Sequence, residues 1–471
     1  MTQPGTASTP LRVAIVGSGP AAFYAAEHLF KQLNLVVEID MFDRLPTPYG
    51  LVRGGVAPDH QKIKSVTHAY EKIADRPHFR FYGNVEFGKH IQLSDLRDHY
   101  HQILYATGAQ TDRRMNIPGE ELKGSHPATE FVAWYNGHPD FRDCHFDLSQ
   151  ERVAVVGVGN VAIDVARLLC LSPRELAATD IANYALDALS HSKVKEVYLL
   201  GRRGPAQAAF TNPELKEIGE LEDADPVVLP EEAELDPLSR AEMEKEGDRT
   251  TIRKVELLQE YARRTAGGKS RQLLIRFLVS PLELIGDEAG QVVKMRLAKN
   301  VLVQSEAGSL SAKATDQVEE LPVGLVFRSV GYRGVALPEV PFHDRWGVVL
   351  NDRGRVLDPD SKGPRIGEYA TGWIKRGPSG VIGTNKPDAV ETVTCMLEDF
   401  ANGLTLHPAH PAGEAADSLI RERQPQTFSF ADWQRLDEME VARGEAQGRP
   451  RVKFVSVEEM WAALGRGASN K

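Results

Sequence analysis

Cysteine is scarce in this chain. Three stand apart in 471 residues, at Cys144, Cys170 and Cys395, and no two form a C-x-x-C pair. That excludes a dithiol redox motif, a cysteine-held iron–sulfur cluster and a structural zinc ribbon. So few cysteines also fit a reducing compartment, and a cytoplasmic protein is expected. Long apolar runs are lacking too. None approaches the roughly 20 residues that cross a bilayer, so no membrane span is expected. The opening MTQPGTASTP has neither the charged start nor the apolar stretch of a secretory leader and reads as a flexible tail over residues 1–10. Excess positive charge is missing as well. Lys and Arg number 56 against 66 Asp and Glu, a formal charge of −10. Nucleic acid therefore finds no general attraction here, and an acidic partner would need a local basic patch.

What the chain does have is a glycine turn between a strand and a helix, and it has it twice. Leu11 to Val16 reads LRVAIV, a buried parallel strand. Gly17-Ser18-Gly19-Pro20-Ala21-Ala22 follows, then a helical stretch from Phe23 to Leu33. In this G-x-G-x-x-A, Gly17 allows the tight turn, Gly19 clears room for a pyrophosphate and Ala22 lets helix and strand pack closely. The helix start offers N–H groups and a positive dipole end. The next apolar run, Val36 to Phe42, ends at Asp43, an acid placed to bond an adenosine ribose. A βαβ unit using glycine only for close packing is the plainer alternative.

The signal returns at Arg152 to Val156, followed by Gly157-Val158-Gly159-Asn160-Val161-Ala162 and a helix from Ile163 to Leu171. Here the following strand, Val194 to Leu200, ends in Gly201-Arg202-Arg203-Gly204 and carries no acid. Two arginines suit a 2′-phosphate. Solvated turn arginines are the alternative. The first site thus reads as FAD and the second as NADP(H).

Two similar strands, QILYATG at 102–108 and LVFRSVG at 325–331, mark where the chain crosses into and out of a second domain. The expected fold class is α/β, with two Rossmann-like dinucleotide-binding domains. The NADP domain, 110–330, sits inside an FAD domain made of 1–109 and 331–403. Residues 404–471 form a C-terminal extension packing on the FAD domain. Along the way, 44–60 reads as an ordered loop, 62–73 as one amphipathic helix and 79–87 as a strand. Strands span 273–303 with a turn near Gly286. Gly377 to Thr384 opens a helix from about Pro387 to Phe400, 403–416 is a linker, and 451–455 is strand-like.

The motifs GSGPAAFYAA, TPYGLVRGGVAPDH, GVGNVAIDVARLL, GRRGPAQAAFTNPEL and GWIKRGPSGVIGT stand in that order. Together they resemble the adrenodoxin reductase family of ferredoxin–NADP reductases, over about Leu11 to Gly403. The family more often has Glu where this chain has Asp43. The resemblance implies a FAD-dependent oxidoreductase in which hydride from NADPH reaches the flavin and single electrons pass to a ferredoxin-type, acidic iron–sulfur protein. By motif match, Ala21, Asp43, Leu51, Phe87, Trp373, Gly380, Val381 and Ile382 lie near FAD. Arg113, Val158, Gly159, Asn160, Val161, Arg202, Arg203, Glu214 and again Gly380 lie near NADP. His60 and Asp164 look like positions that couple proton movement to electron transfer, or else they merely bond a carbonyl and pair with a neighbour. Leu51 and Phe87 would act through backbone groups. No metal and no catalytic nucleophile are implied. Arg249, Arg253, Lys254, Arg263 and Arg264 are the candidate basic patch for an acidic partner. A diaphorase subunit of another redox system, or a nucleotide-binding sensor without turnover, are the other readings. The oligomeric state is left open.

Overall fold

The computed structural model describes residues 4–265, 267–306 and 308–467. In chain order the first stretch gives β1 (Leu11–Val16), α1 (Pro20–Phe30), β2 (Val37–Asp43), α2 (Leu51–Gly54), β3 (Phe79–Gly83) and β4 (Gln102–Tyr105). The inserted stretch gives β5 (Ser125–Pro127), α3 (Ala128–Tyr135), β6 (Arg152–Val156), α4 (Asn160–Cys170), β7 (Glu196–Leu200), α5 (Asn212–Ile218) and β8 (Ala224–Val228). It continues with α6 (Arg249–Arg263), β9 (Arg271–Arg276), β10 (Val279–Gly286), β11 (Val292–Gln304), β12 (Leu310–Leu321) and β13 (Leu325–Arg328). The last stretch adds β14 (Asn351–Asp352), β15 (Arg355–Leu357), β16 (Pro364–Ala370), α7 (Trp373–Arg376), α8 (Asn385–Ala401), α9 (Gly413–Arg423), α10 (Phe430–Glu445) and α11 (Val457–Ala463).

These elements fall into two units. One joins 1–111 with 332–471, and the other is 112–331. The first unit holds a seven-stranded sheet in the order β14-β15-β16-β4-β1-β2-β3, parallel from β16 to β3. β1 is buried on both faces, as a central parallel strand must be. Leu11, Val13 and Ile15 face a cluster with α1, α8 and the rings Phe428, Phe430 and Trp433. Ala14 and Val16 face the opposite layer with Phe42, Tyr105 and Ile420. The strand order reverses beside β1, so the crevice at its C-terminal end is a topological switch point.

The second unit carries a six-stranded parallel sheet in the order β5-β13-β6-β7-β9-β8, and its switch point lies at the end of β6. A separate antiparallel sheet, β10-β11-β12, follows. Among the described residues no helix is long and apolar enough to cross a membrane.

Several local readings change. The expected helix 62–73 is two short ones, Gln61–Lys64 and Thr67–Ala74. The strand 79–87 stops at Gly83, where a Cβ would lie 2.6 Å from the Pro46 carbonyl oxygen. The linker 403–416 already enters α9 at Gly413. No strand forms over 451–455, because Phe454 N–H donates to the Glu440 carboxylate instead of a ladder. β8 and β12 have no counterpart among the expected strands: β12 is polar or acidic along much of its length, and β8 is a five-residue run with a central proline set between acidic segments. Within the expected tail, Gly5 accepts at its carbonyl oxygen from Val36 N–H at 2.9 Å.

Candidate functional site

In the first unit everything turns on the end of β1. Gly17 has φ +103°, and a Cβ there would sit 2.5 Å from the Ala106 carbonyl oxygen. The protein itself therefore demands glycine. Gly19 is different. Its backbone is extended, with φ −79° and ψ −177°, and a Cβ there would meet nothing within 4 Å. Any residue would suit the protein at this position, so glycine keeps open a cradle directly over the start of α1. No side chain caps that helix start, and Pro20 removes one N–H there. Ala21 and Ala22 are buried behind the turn. An open cradle at an uncapped helix N-terminus fits a pyrophosphate.

Asp43 lies at the end of β2, as expected, but it also clasps the turn. Its Oδ2 accepts from Ser18 N at 3.1 Å and Ser18 Oγ at 2.5 Å, and its Oδ1 from Leu45 N at 2.9 Å. Burial pushes its carboxyl upward, against those hydrogen bonds. The loop that follows is drawn onto the same turn. Tyr49 N–H donates to the Ser18 carbonyl oxygen at 3.0 Å. A Cβ on Gly50 would lie 3.1 Å from Gly19 Cα. Leu51 then starts α2 with a half-exposed side chain. His60 stands at the start of Gln61–Lys64, its N–H bonded to the Ala57 carbonyl oxygen at 3.1 Å. Phe87 is a buried ring set edge-on to Tyr105, so its side chain belongs to the core.

The last stretch returns to α1. A Cβ on Gly372 would lie 2.6 Å from Ala21 Cβ. Trp373 follows, with Nε1 donating to the Ser379 carbonyl oxygen at 3.2 Å. The loop through Gly380, Val381 and Ile382 is shaped by Arg376. Its Nη1 reaches Ser379 O at 2.7 Å and Oγ at 2.8 Å, and its Nη2 reaches Asn385 Oδ1 at 3.1 Å. Asp388 accepts from Gly372 N–H at 2.5 Å and lies 3.1 Å from the buried Lys375 Nζ. Sequence reasoning missed Lys375, Arg376 and Asp388. The signal for the first two was the K-R pair that follows Trp373-Ile374.

The second unit repeats the scheme at the end of β6. Gly157 has φ +133°, and a Cβ would sit 2.2 Å from the Ser329 carbonyl oxygen, whereas Gly159 is extended and open. No side chain caps α4. The Val158 carbonyl accepts from Ala209 N at 2.8 Å and Phe210 N at 3.0 Å, and Asn160 Oδ1 accepts from Thr211 N at 3.0 Å. The segment 209–211 is thus tied to this turn, a link the sequence reading missed. A Cβ on Gly201 would lie 2.9 Å from Val158 Cγ1, which sets Arg202 and Arg203 beside it. Neither arginine makes an ion pair with a described residue. Burial, then Arg202, lowers the proton affinity of Arg203. Two neighbouring guanidiniums, neither held in an ion pair by a described residue, fit a doubly charged anion.

Glu214 sits in the first turn of α5, buried, and its Oε2 has no hydrogen-bond partner among the described residues. A ligand hydroxyl would satisfy it. Arg113 is exposed, with its N–H bonded to the Gly331 carbonyl oxygen at 2.9 Å, while its rival Arg114 pairs with Glu121 at 2.5 Å. Asp164 accepts from Arg167 Nη2 at 2.9 Å, so it is a paired group on α4.

The candidate basic patch needs correction. Lys254 is buried on α6 and donates to the Ala208 carbonyl oxygen. It cannot line a docking face. Arg253 pairs with Glu256 at 3.0 Å and Arg264 with Glu260 at 2.7 Å, which blunts their charge. Arg249 and Arg263 remain exposed.

Residues 11–214 match the family model described as pyridine nucleotide-disulphide oxidoreductase. The NADPH-ferredoxin reductase FprA of Mycobacterium tuberculosis is 46% identical over 460 residues, covering 96% of this chain and 98% of that protein. The mitochondrial NADPH:adrenodoxin oxidoreductase of Homo sapiens is 40% identical, covering 96% and 92%. The solved structure of Mycobacterium tuberculosis FprA in complex with NADPH is similar with a TM-score of 0.90 and 45% identity, covering 97% of this chain and 100% of that one. Near-complete coverage at such identity, together with two open glycine cradles, places this chain in the adrenodoxin reductase-like family of ferredoxin–NADP reductases.

Proposed function

We propose that this chain is a FAD-dependent oxidoreductase that passes electrons between NADPH and a ferredoxin-type iron–sulfur protein. FAD, when bound, supplies the conversion between a two-electron hydride and single electrons. The observation that carries this reading is the pair of cradles. Each lies over an uncapped helix start, and each is open where the protein itself has no need of glycine.

In this reading the first unit takes FAD and the inserted unit takes NADP(H). Gly17 and Gly19 admit the flavin nucleotide's pyrophosphate, and Asp43 receives its ribose while holding Ser18. Leu51, Phe87, Trp373, Gly380, Val381 and Ile382 border the flavin, with Arg376 fixing the last loop. Gly157 to Val161 take the second pyrophosphate. Arg202 and Arg203 hold the 2′-phosphate, and Glu214 and Arg113 bond the remaining polar groups. His60 and Asp164 hold or move a proton, although Arg167 already occupies one oxygen of Asp164. A relative named probable ferredoxin/ferredoxin–NADP reductase, 47% identical, supports the class of acceptor. An acidic acceptor and a cytoplasmic setting complete the reading.

The test is direct. Purified protein should be yellow and release FAD on denaturation. NADPH should bleach it, and added ferredoxin should restore the colour with repeated turnover. Release of FMN, or no flavin after reconstitution, would overturn the reading. Bleaching without turnover on any added acceptor would leave a sensor instead.

A further inference from the structure

The segment after residue 404 has no part in the two cradles, yet it grips a loop that does. Tyr49 is the starting point. It holds φ +84°, in the left-handed region that an aromatic residue rarely adopts. Such strain persists only where the surroundings over-determine it. Here they do. The ring packs between Phe23 at 5.6 Å and Tyr70 at 6.0 Å, and it meets the edge of Trp433 from α10 at 5.9 Å and 83°. The strained residue delivers Gly50 against Gly19, the open glycine of the first cradle.

Three residues further on, Arg53 is held by the same helix. Its Nη1 lies 2.8 Å from Glu440 Oε2 and its Nη2 lies 2.6 Å from Oε1, a bidentate pair. Glu440 is fully buried. The guanidinium also stacks over Trp433 at 4.8 Å. Around Glu440 the chain wraps back, with Phe454 N at 2.9 Å and Arg451 Nη1 at 3.2 Å. Lys453 Nζ reaches the Arg53 carbonyl oxygen at 3.4 Å. A buried ion pair adds little net stability over well-packed apolar groups, but it fixes direction and register. A tail that served only to cover the core would need no such pair.

We infer that α10 is a clamp that sets the shape of the loop 47–60, and that Glu440 and Trp433 are positioning residues for flavin binding, acting through Arg53, Tyr49 and Gly50. This rests on the reading of the first cradle as the FAD site. Force passes from Glu440 to Arg53, through the short helix α2, to the backbone that faces Gly19. Glu440, Trp433, Arg53 and Tyr49 all belong to the first unit, so NADPH binding is the control and should not respond.

The test uses the full-length protein stripped of FAD and titrated back, with quenching of flavin fluorescence as the readout. Glu440→Gln should raise the Kd for FAD at least about tenfold, and the KM for NADPH of the FAD-saturated enzyme should stay within about twofold. Arg53→Met combined with Glu440→Leu removes both charges. It should return the thermal midpoint of the apoprotein towards wild type and leave FAD binding weak. If Glu440→Gln does not fold, Trp433→Leu decides, with the same expected split. Restored FAD affinity in the double variant would show that the pair only stabilises, and would overturn the clamp. FAD binding within about twofold of wild type in the single variants would do the same. Failure of the wild-type apoprotein to take up FAD would instead overturn the site reading on which the clamp rests.

Discussion

One substitution, made at two glycines two residues apart, should have opposite effects. Gly17→Ala forces a methyl group to within 2.5 Å of the Ala106 carbonyl oxygen and 2.7 Å of its carbon, on a backbone at φ +103°. The strained backbone alone costs about 1–3 kcal/mol, and displacement of the β4 end adds to it. For a unit of this size each kcal/mol lowers the thermal midpoint by about 2–4 °C. The apoprotein should therefore melt several degrees lower. Gly19→Ala meets nothing within 4 Å on an extended backbone. It should leave the apoprotein unchanged or raise its stability by about 0.4–1 kcal/mol, through the less mobile unfolded chain. The same methyl fills the cradle, so FAD binding should collapse. Scanning calorimetry of both apoproteins, followed by FAD titration, gives the two answers separately. Equal loss of thermal midpoint in both variants would refute the reasoning. So would a Gly19→Ala protein that binds FAD as wild type does.

Three further outcomes are expected. Replacing Arg202 and Arg203 with alanine should raise the KM for NADPH by at least about tenfold per arginine, with little change for NADH; matched steady-state assays with the two coenzymes check this. Asp112 is pushed up to about 6, chiefly by burial, against hydrogen bonds from Thr129. The folded chain then keeps a proton that the unfolded chain has lost between about pH 4 and pH 6, so stability falls as pH rises through that window. Asp112→Asn should add at most about 3 kcal/mol at pH 7.5 and nothing near pH 4, as read from urea unfolding at both values. Finally, ferredoxin-dependent turnover should fall with ionic strength while ferricyanide reduction changes much less. Reversal of exposed Arg249 and Arg263 tests this face, because reversing buried Lys254 would disturb folding instead. Equal salt dependence in both assays would place the acceptor elsewhere.

Much of the architecture was legible because each Rossmann unit announces itself locally. β1 and β6 are short apolar runs, and the glycines after them are dictated by carbonyls 2.5 Å and 2.2 Å from a would-be Cβ. The crossing strands were legible for the same reason, as apolar runs ending in glycine. Other features depend on partners far away in sequence. Lys254 sits among charged neighbours on α6, and only its bond to Ala208 shows that it points inward. Residues 451–455 alternate like a strand, but Glu440 takes the Phe454 N–H that a ladder would use. Asp43 was expected to serve a ligand, and its clasp on Ser18 follows from the turn's geometry, not from its position after an apolar run. In the functional loops, Arg376 and Asp388 escaped notice because the groups they hold, Ser379 and Asn385 for one and Gly372 and Lys375 for the other, come together only once the loop is folded, which no local pattern records.

The way the first sheet is assembled bears on how the chain comes off the ribosome. β4 lies between β1 and β16, and some 260 residues separate it from the latter. Until β16 emerges, β4 is a bare edge of apolar residues. The 220 residues from Asp112 to Gly331 are contiguous and can close their own sheet first. At synthesis rates of about 5–20 residues per second, the wait for β16 leaves the edge open for roughly thirteen to fifty seconds. An unpaired apolar edge is a template for pairing with another chain. The first half of the first unit is therefore the stretch that a nascent-chain chaperone has most reason to shield, well before the first cradle can receive a nucleotide.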